Sequence, residues 1–328
     1  MAYETGRGNV MKRVRAKANI NIALCKYWGK YDELQVLPFT TSISFTCDAF
    51  YTLTTIEYDD ELTQDEFILD GKVQSTEETK KVSAFLQRFN KDRNVRIMSE
   101  NHVPTAAGLA SSASGYAALA MAANTFFTTG LSAEELASLT RFGSGSASRS
   151  VFGGFAQWQK QSDRITQLSL EDDWLAMIFI IVNKGPKNIS SKTAMKQTVL
   201  TSPYFEAFVQ SSDEDASLMK QAIIDKDFTQ LGRIAKHNAF KMHASMMAAN
   251  PPILYFDAST LEVLQLVERM NQLNMECYPT MDAGPNVKLI VKRSELYSIE
   301  SWLKVQLPQY TIVGSTMGKG SEILEIEE

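Results

Sequence analysis

Residues 14–24 alternate, with Val14, Ala16, Ala18, Ile20, Ile22 and Leu24 on one side of an extended chain. That period of two predicts a strand. The same reasoning predicts strands at 41–45, 50–58 and 95–98, with Asp70-Gly71 as a hairpin signal. Residues 76–89 switch to helical spacing, with Val82, Phe85, Leu86 and Phe89 on one stripe. Residues 117–127 are rich in Ala, Leu and Met, good helix formers, and Gly130 breaks the chain after them. Ser132 followed three residues later by Glu135 is a capping box that opens a short helix to about Thr140. Residues 155–158 and 174–182 predict two more strands, the second apolar throughout.

The second half is more helical. Apolar residues recur at helical spacing over 190–200, 213–225, 228–247, 259–273 and 296–305. Strands are predicted at 276–280, 287–291, 311–313 and 322–326. A polar segment containing Gly185-Pro186, residues 183–192, separates the two regimes. The expected division is therefore residues 11–182 and 183–328, an α+β protein, with residues 1–10 as a loose polar leader.

The composition narrows the function. Of 328 residues, 44% are hydrophobic and 22% charged, as in ordinary globular chains. The net charge of -5 argues against non-specific nucleic-acid binding, so a polyanionic ligand needs a local basic pocket. Cys25, Cys47 and Cys277 have no C-x-x-C spacing, which fits a reducing cytoplasm and no disulfide framework. The longest apolar run, 174–182, is far short of the roughly 20 residues that span a bilayer.

Four stretches carry candidate chemistry. Residues 104–116, PTAAGLASSASGY, are almost all small. Such a loop before a helix exposes backbone N–H groups to an anion, and it equally suits a tight turn before a close-packed Ala helix. Residues 143–150, GSGSASRS, are a second hydroxyl-rich stretch with Arg149 inside it, read either as a linker or as an anion clamp. Lys26-Tyr27-Trp28-Gly29-Lys30 clusters cations and aromatics at a strand end. Asp282 opens an Ala-Gly-Pro turn, where an Asp is commonly a turn residue. No P-loop, zinc spacing or G-x-S-x-G elbow occurs. His237 and His243 lie six apart, off one helix face, so they make a poor metal pair. Hydroxyl loops, lysines and one carboxylate suit phosphoryl transfer, which rests on positioning and charge neutralisation.

Residues 104–115 resemble the second motif of the GHMP kinases, Pro-x-x-x-Gly-Leu/Ile-Gly/Ala-Ser-Ser-Ala. Together with ALCKYWGKYDE, GSGSASRSVFGGF and MDAGPNV, in this order, they resemble the mevalonate diphosphate decarboxylase branch over nearly the whole chain from about Val14. The resemblance implies an amino-terminal domain like domain 2 of ribosomal protein S5. It also implies a ferredoxin-like carboxy-terminal domain, with the active site in the cleft between the two, and usually a homodimer in the cytoplasm. It implies that ATP with Mg²⁺ phosphorylates the 3-hydroxyl of mevalonate 5-diphosphate. The product then loses phosphate and CO₂ to give isopentenyl diphosphate, a step of isoprenoid biosynthesis.

By the same resemblance, Asp282 is the catalytic base and Lys26 the lysine beside it. Tyr27 and Lys30 contact substrate carboxylate and diphosphate, and Ser144, Ser146 and Arg149 clamp the diphosphate. Pro104, Ala107, Gly108, Leu109, Ala110, Ser111 and Ser112 form the ATP phosphate loop. Lys187, Ser191 and Lys192 match a segment closing over the nucleotide or the substrate carboxylate. Ala110 stands where many GHMP kinases have Gly. No carboxylate ligand for Mg²⁺ is evident, so the ion is expected mainly on the ATP phosphates, with Ser111 or Ser112 as candidate contacts. Two alternatives stand beside this: a kinase of the same superfamily that stops at the phosphorylated product, and a non-catalytic nucleotide-binding relative. Kinase-only relatives tend to lose the Asp–Lys pair, and this chain has both residues.

Overall fold

The computed structural model describes residues 11–103, 111–169, 173–183, 185 and 188–328. In chain order the strands are β1 (Arg13–Cys25), β2 (Lys30–Asp32), β3 (Leu37–Pro38), β4 (Ser42–Tyr58), β5 (Glu66–Leu69), β6 (Lys72–Val73), β7 (Val95–His102), β8 (Phe155–Trp158), β9 (Ile165–Ser169), β10 (Leu175–Ile181), β11 (Tyr278–Met281), β12 (Val287–Lys292), β13 (Thr311–Ser315) and β14 (Glu322–Glu327). The helices are α1 (Thr76–Leu86), α2 (Ser111–Phe126), α3 (Ala133–Thr140), α4 (Ala147–Ser150), α5 (Ser191–Thr201), α6 (Phe205–Ile224), α7 (Phe228–Met247), α8 (Ala258–Gln272) and α9 (Leu296–Gln306).

Two sheets organise the α+β fold. The first runs β14-β1-β4-β7-β5-β6, with β8 paired to the start of β4 and β9 to β8. The second runs β11-β12-β10-β13, all antiparallel. Helix α2 lies against β1 and β4 through Ala117, Ala118, Ala120, Ala122 and Ala123, all fully buried. Side chains of one methyl let helix and sheet approach closely.

The strand pairing differs from the sequence expectation in three places. First, β10, grouped above with the amino-terminal half, is a central strand of the second sheet. Its run LAMIFII is apolar on both faces, so it needs cover on both. Leu175, Met177, Phe179 and Ile181 share a core with β1 and β4 of the first sheet and with α6 and α7, Phe179 meeting Phe50 edge-on at 4.9 Å, while Ala176, Ile178 and Ile180 share one with α8 and α9. Second, β14 returns from the carboxy-terminal end to pair with β1. Third, the strands expected at 41–45 and 50–58 are one strand, β4. Its register against β1 jumps between Tyr51↔Asn19 and Cys47↔Ile20, leaving Asp48, Ala49 and Phe50 as a bulge. Asp48 breaks the apolar pattern because it has work there. Its carboxylate accepts the Thr316 N–H at 2.8 Å and the Ser315 hydroxyl at 2.9 Å, tying the two sheets together.

Candidate active site

Lys26 is the first residue after β1. Its backbone N–H donates to Asn238 Oδ1 on α7 at 2.7 Å. Asn238 in turn donates to Asp215 on α6 at 2.7 Å, and Lys241 pairs with the same Asp215 oxygen at 2.5 Å. This buried polar chain fixes where Lys26 leaves the sheet. Gly29 follows at φ +93°, and a Cβ there would lie 2.7 Å from the Phe205 ring. Only glycine lets the KYWGK turn close over the packed Trp28.

Asp282 comes from 256 residues downstream, just past β11, and meets Lys26. Lys26 Nζ donates to Asp282 Oδ1 at 2.8 Å. Lys288 Nζ lies 3.1 Å from Asp282 Oδ2. The β11–β12 register pairs Thr280 with Lys288, so the period of two puts Asp282 and Lys288 on one face. Burial pushes the Asp282 carboxyl up, but Lys26 and Lys288 outweigh it and hold it well below the ordinary carboxylate range. Burial lowers the Lys26 ammonium, and Asp282 opposes that shift. The Asp282 side chain keeps 32% of its surface accessible whereas that of Lys26 keeps 2%, so the carboxylate is the more open member of the pair.

Both border a cavity of about 450 Å³ lined by residues of β1, α4, α5 and the loops after β1, α3 and β11. Among the described lining residues, Lys26, Lys30, Arg141, Arg149 and Lys192 face one carboxylate, Asp282. In a chain of net charge -5, this is the local basic pocket that an anionic ligand requires.

The hydroxyl-rich segment forms the opposite wall. Asn21 on β1 donates to Ser146 O at 2.9 Å and to Ser150 Oγ at 2.8 Å, shaping the turn into α4. Ser144 and Ser146 hydroxyls lie 3.2 Å apart, and Ser144 reaches Ser112 in the first turn of α2 at 3.5 Å. Residues 143–150 and the start of α2 therefore meet at Ser144. Arg149 is fully buried, its Nη1 donates to Ser42 Oγ at 2.7 Å, and its Nε has no partner among the described residues. Burial pushes the guanidinium down to about 10, with Tyr27 and Asp282 opposing. Arginine stays charged across the working range of proteins, so the site holds a desolvated cation that favours an anion beside it. The Tyr27 hydroxyl is likewise buried without a hydrogen-bond partner among the described residues. Its ring packs on Trp158 at 5.0 Å and on Gly145, where a Cβ would come within 2.7 Å of the hydroxyl. Lys30 is paired with Glu33 at 3.1 Å at the cavity edge. Ser191 and Lys192 occupy the first turn of α5, whose N-cap is Ser190.

The structure thus brings Lys26, Tyr27, Lys30, Ser112, Ser144, Ser146, Arg149, Ser191, Lys192 and Asp282 around one cavity. Pro104, Ala107, Gly108, Leu109, Ala110, the Ser111 side chain and Lys187 lie outside the described residues. His243 is buried beside Asp282, held at the main chain of Met281 and Asp282, while His237 is exposed. Three polar residues in or near the cavity escaped the sequence reading: Asn21, Arg141 and Lys288. The signal for Lys288 was available, a lysine inside the apolar strand VKLIV.

An α+β fold with a hydroxyl-lined, cation-rich cleft between two sheets defines a small-molecule phosphoryl-transfer enzyme of the GHMP kinase type. Residues 18–170 match the family model of the diphosphomevalonate decarboxylase-like N-terminal domain, and 177–327 that of the mevalonate 5-diphosphate decarboxylase C-terminal domain. A diphosphomevalonate decarboxylase of Candida albicans is 35% identical over 82% of this chain and 81% of its own length. The mevalonate diphosphate decarboxylase of Staphylococcus aureus superposes with a TM-score of 0.90 at 42% identity, covering 96% of this chain and 98% of that one. A protein solved in complex with MVAPP, AMPPCP and magnesium (MDDEF) also reaches 0.90 at 42% identity, over 96% and 99%. The chain belongs to the mevalonate diphosphate decarboxylase family.

Proposed function

We propose that this cavity performs the family's reaction, the ATP-dependent decarboxylation of mevalonate 5-diphosphate to isopentenyl diphosphate, with the residues in the following roles. The observation that carries the reading is the Lys26–Asp282 contact at 2.8 Å facing a buried, carboxylate-free Arg149 across one cavity. Arg149, Ser144 and Ser146 take the substrate diphosphate, with the planar guanidinium fork matching phosphate oxygens. Tyr27, Lys30, Ser191 and Lys192 contact the rest of the substrate. Ser112 and the loop before it place the ATP phosphates at the start of α2, where the helix dipole favours negative charge.

Asp282 accepts the 3-hydroxyl proton. A carboxylate held so acidic is a weak base, which suits a loose phosphoryl transfer. The hydroxyl becomes acidic only as its oxygen bonds to phosphorus, so the proton leaves late and needs little pull. Phosphate then departs with the C3–O electron pair. The C1–C2 bond breaks, its pair becomes the C2=C3 double bond, and CO₂ leaves. Asp282 lies where the transient positive charge at C3 is stabilised, and Lys26 where the departing phosphate is.

Both Asp282 oxygens are taken by ammonium groups, and no cluster of three or more metal-ligating side chains occurs among the described residues. A site built on protein carboxylates does not fit, whereas one on nucleotide phosphates with Ser112 nearby does. Magnesium bound there would neutralise phosphate charge. The complex of the similar protein with AMPPCP and magnesium supports both ligands for this chain. Incubation with ATP, Mg²⁺ and mevalonate 5-diphosphate should release CO₂ and phosphate in equal amounts. Accumulation of a phosphorylated substrate without CO₂ would instead identify a kinase.

A cytoplasmic homodimer belongs to the same reading. Among the described residues no helix is long and apolar enough to cross a membrane. Sedimentation equilibrium at micromolar concentration should return twice the chain mass, and a monomer at every concentration would reject the dimer.

A further inference from the structure

Asp282 has two cationic partners, one on each oxygen, and they are not equivalent. Lys26 lines the cavity, so its ammonium can also meet a ligand. Lys288 does not line it: its side chain is 4% exposed, and its ammonium also donates to the Asn286 carbonyl at 3.4 Å. Strand pairing holds Lys288 between Thr280 and Phe179. An ammonium enclosed on a central strand cannot swing to a substrate.

We propose that Lys288 is a positioning residue, the standing counter-ion of Asp282, which holds Oδ2 and frees Lys26 to follow the transferring phosphate. The inference rests on Asp282 being the base. The division of labour answers a conflict in the site. If Lys26 turned to a phosphate with no second cation present, a partly buried carboxylate would be left unpaired at the moment it must stay ionised. The groups facing Asp282 come from every element packed on it. They are Lys26 after β1, Lys288 on β12, His243 on α7, Arg149 on α4 and Cys47 on β4. Of these, Lys26 and Lys288 contact the carboxylate directly.

The test is the Asp282 carboxyl titration in ligand-free enzyme, followed by ¹³C NMR and assigned with Asp282→Asn. In Lys288→Met the midpoint should rise by about one to three pH units, the usual effect of one adjacent cation. KM for both substrates should stay within about threefold. Lys288→Gln keeps a donor without charge and should shift as Lys288→Met does, covering the case in which the apolar variant fails to fold. Lys288→Arg should restore the parent midpoint. A folded Met or Gln variant with an unmoved carboxyl midpoint overturns the proposal. Failure of the base assignment is distinguishable, since Asp282→Asn would then retain turnover whatever Lys288 does.

Discussion

Asp282→Asn should lower kcat by at least about 10²–10⁴-fold, the usual worth of a general base, with KM for ATP and mevalonate 5-diphosphate within a few-fold of the parent. Asparagine has nearly the same shape, so the turn after β11 and the cavity wall should persist. What is lost is the one negative charge between Lys26 and Lys288. Two buried ammonium groups would then face a neutral amide, which can neither accept the 3-hydroxyl proton nor stabilise charge at C3. Because the lysines outweigh burial and hold the carboxyl well below its ordinary range, the parent carboxylate is ionised at any pH where activity is measured. Its own titration should therefore not limit the parent's acid side. Single-turnover experiments that count phosphate and CO₂ separately check this, and near-normal turnover in a folded Asp282→Asn protein would refute the assignment.

How much of this was legible in the chain depends on whether a signal was local. Helix α7 spans Phe228–Met247, the range expected from spacing alone, because one face stays apolar over 20 residues and Asp227 caps it. The site loops were legible through their resemblance to a family, since small and hydroxyl residues at fixed spacing are rare by chance. The same residues read alone left a turn and an anion loop equally open. Lys288 was visible as an oddity, a charge in an apolar strand, but its partner lies across a hairpin whose register the sequence does not display. Asn238 and Asp215 were invisible as site residues. Their role is to anchor the Lys26 backbone over a separation of 212 residues, and a helix face carries no mark of what it will dock against. Likewise, β10 was assigned to the wrong sheet group because an apolar run announces burial, not which sheet supplies it.

Arg149→Met should raise KM for mevalonate 5-diphosphate by about 10²–10⁴-fold, since charged hydrogen bonds contribute about 1.5–3 kcal/mol each and the fork makes two. The thermal midpoint of the ligand-free enzyme should stay level or rise. These opposite signs follow from one fact. The guanidinium is fully buried and donates to Ser42 Oγ at 2.7 Å, and among the described residues it has an orphan Nε and no carboxylate contact. A desolvated charge without a counter-ion destabilises the fold that holds it. In the proposed reading the substrate diphosphate supplies that counter-ion, so strain kept in the free enzyme is released on binding and strengthens the hold on an anion over a neutral ligand. Methionine fills much of the same volume without the charge, removing the cost and the selectivity together. ATP, placed at the α2 helix start, should keep its KM within a few-fold. Calorimetric melting beside initial-rate kinetics decides the matter. A melting midpoint that drops together with affinity would make Arg149 a structural residue and leave the diphosphate to Ser144, Ser146 and Lys30.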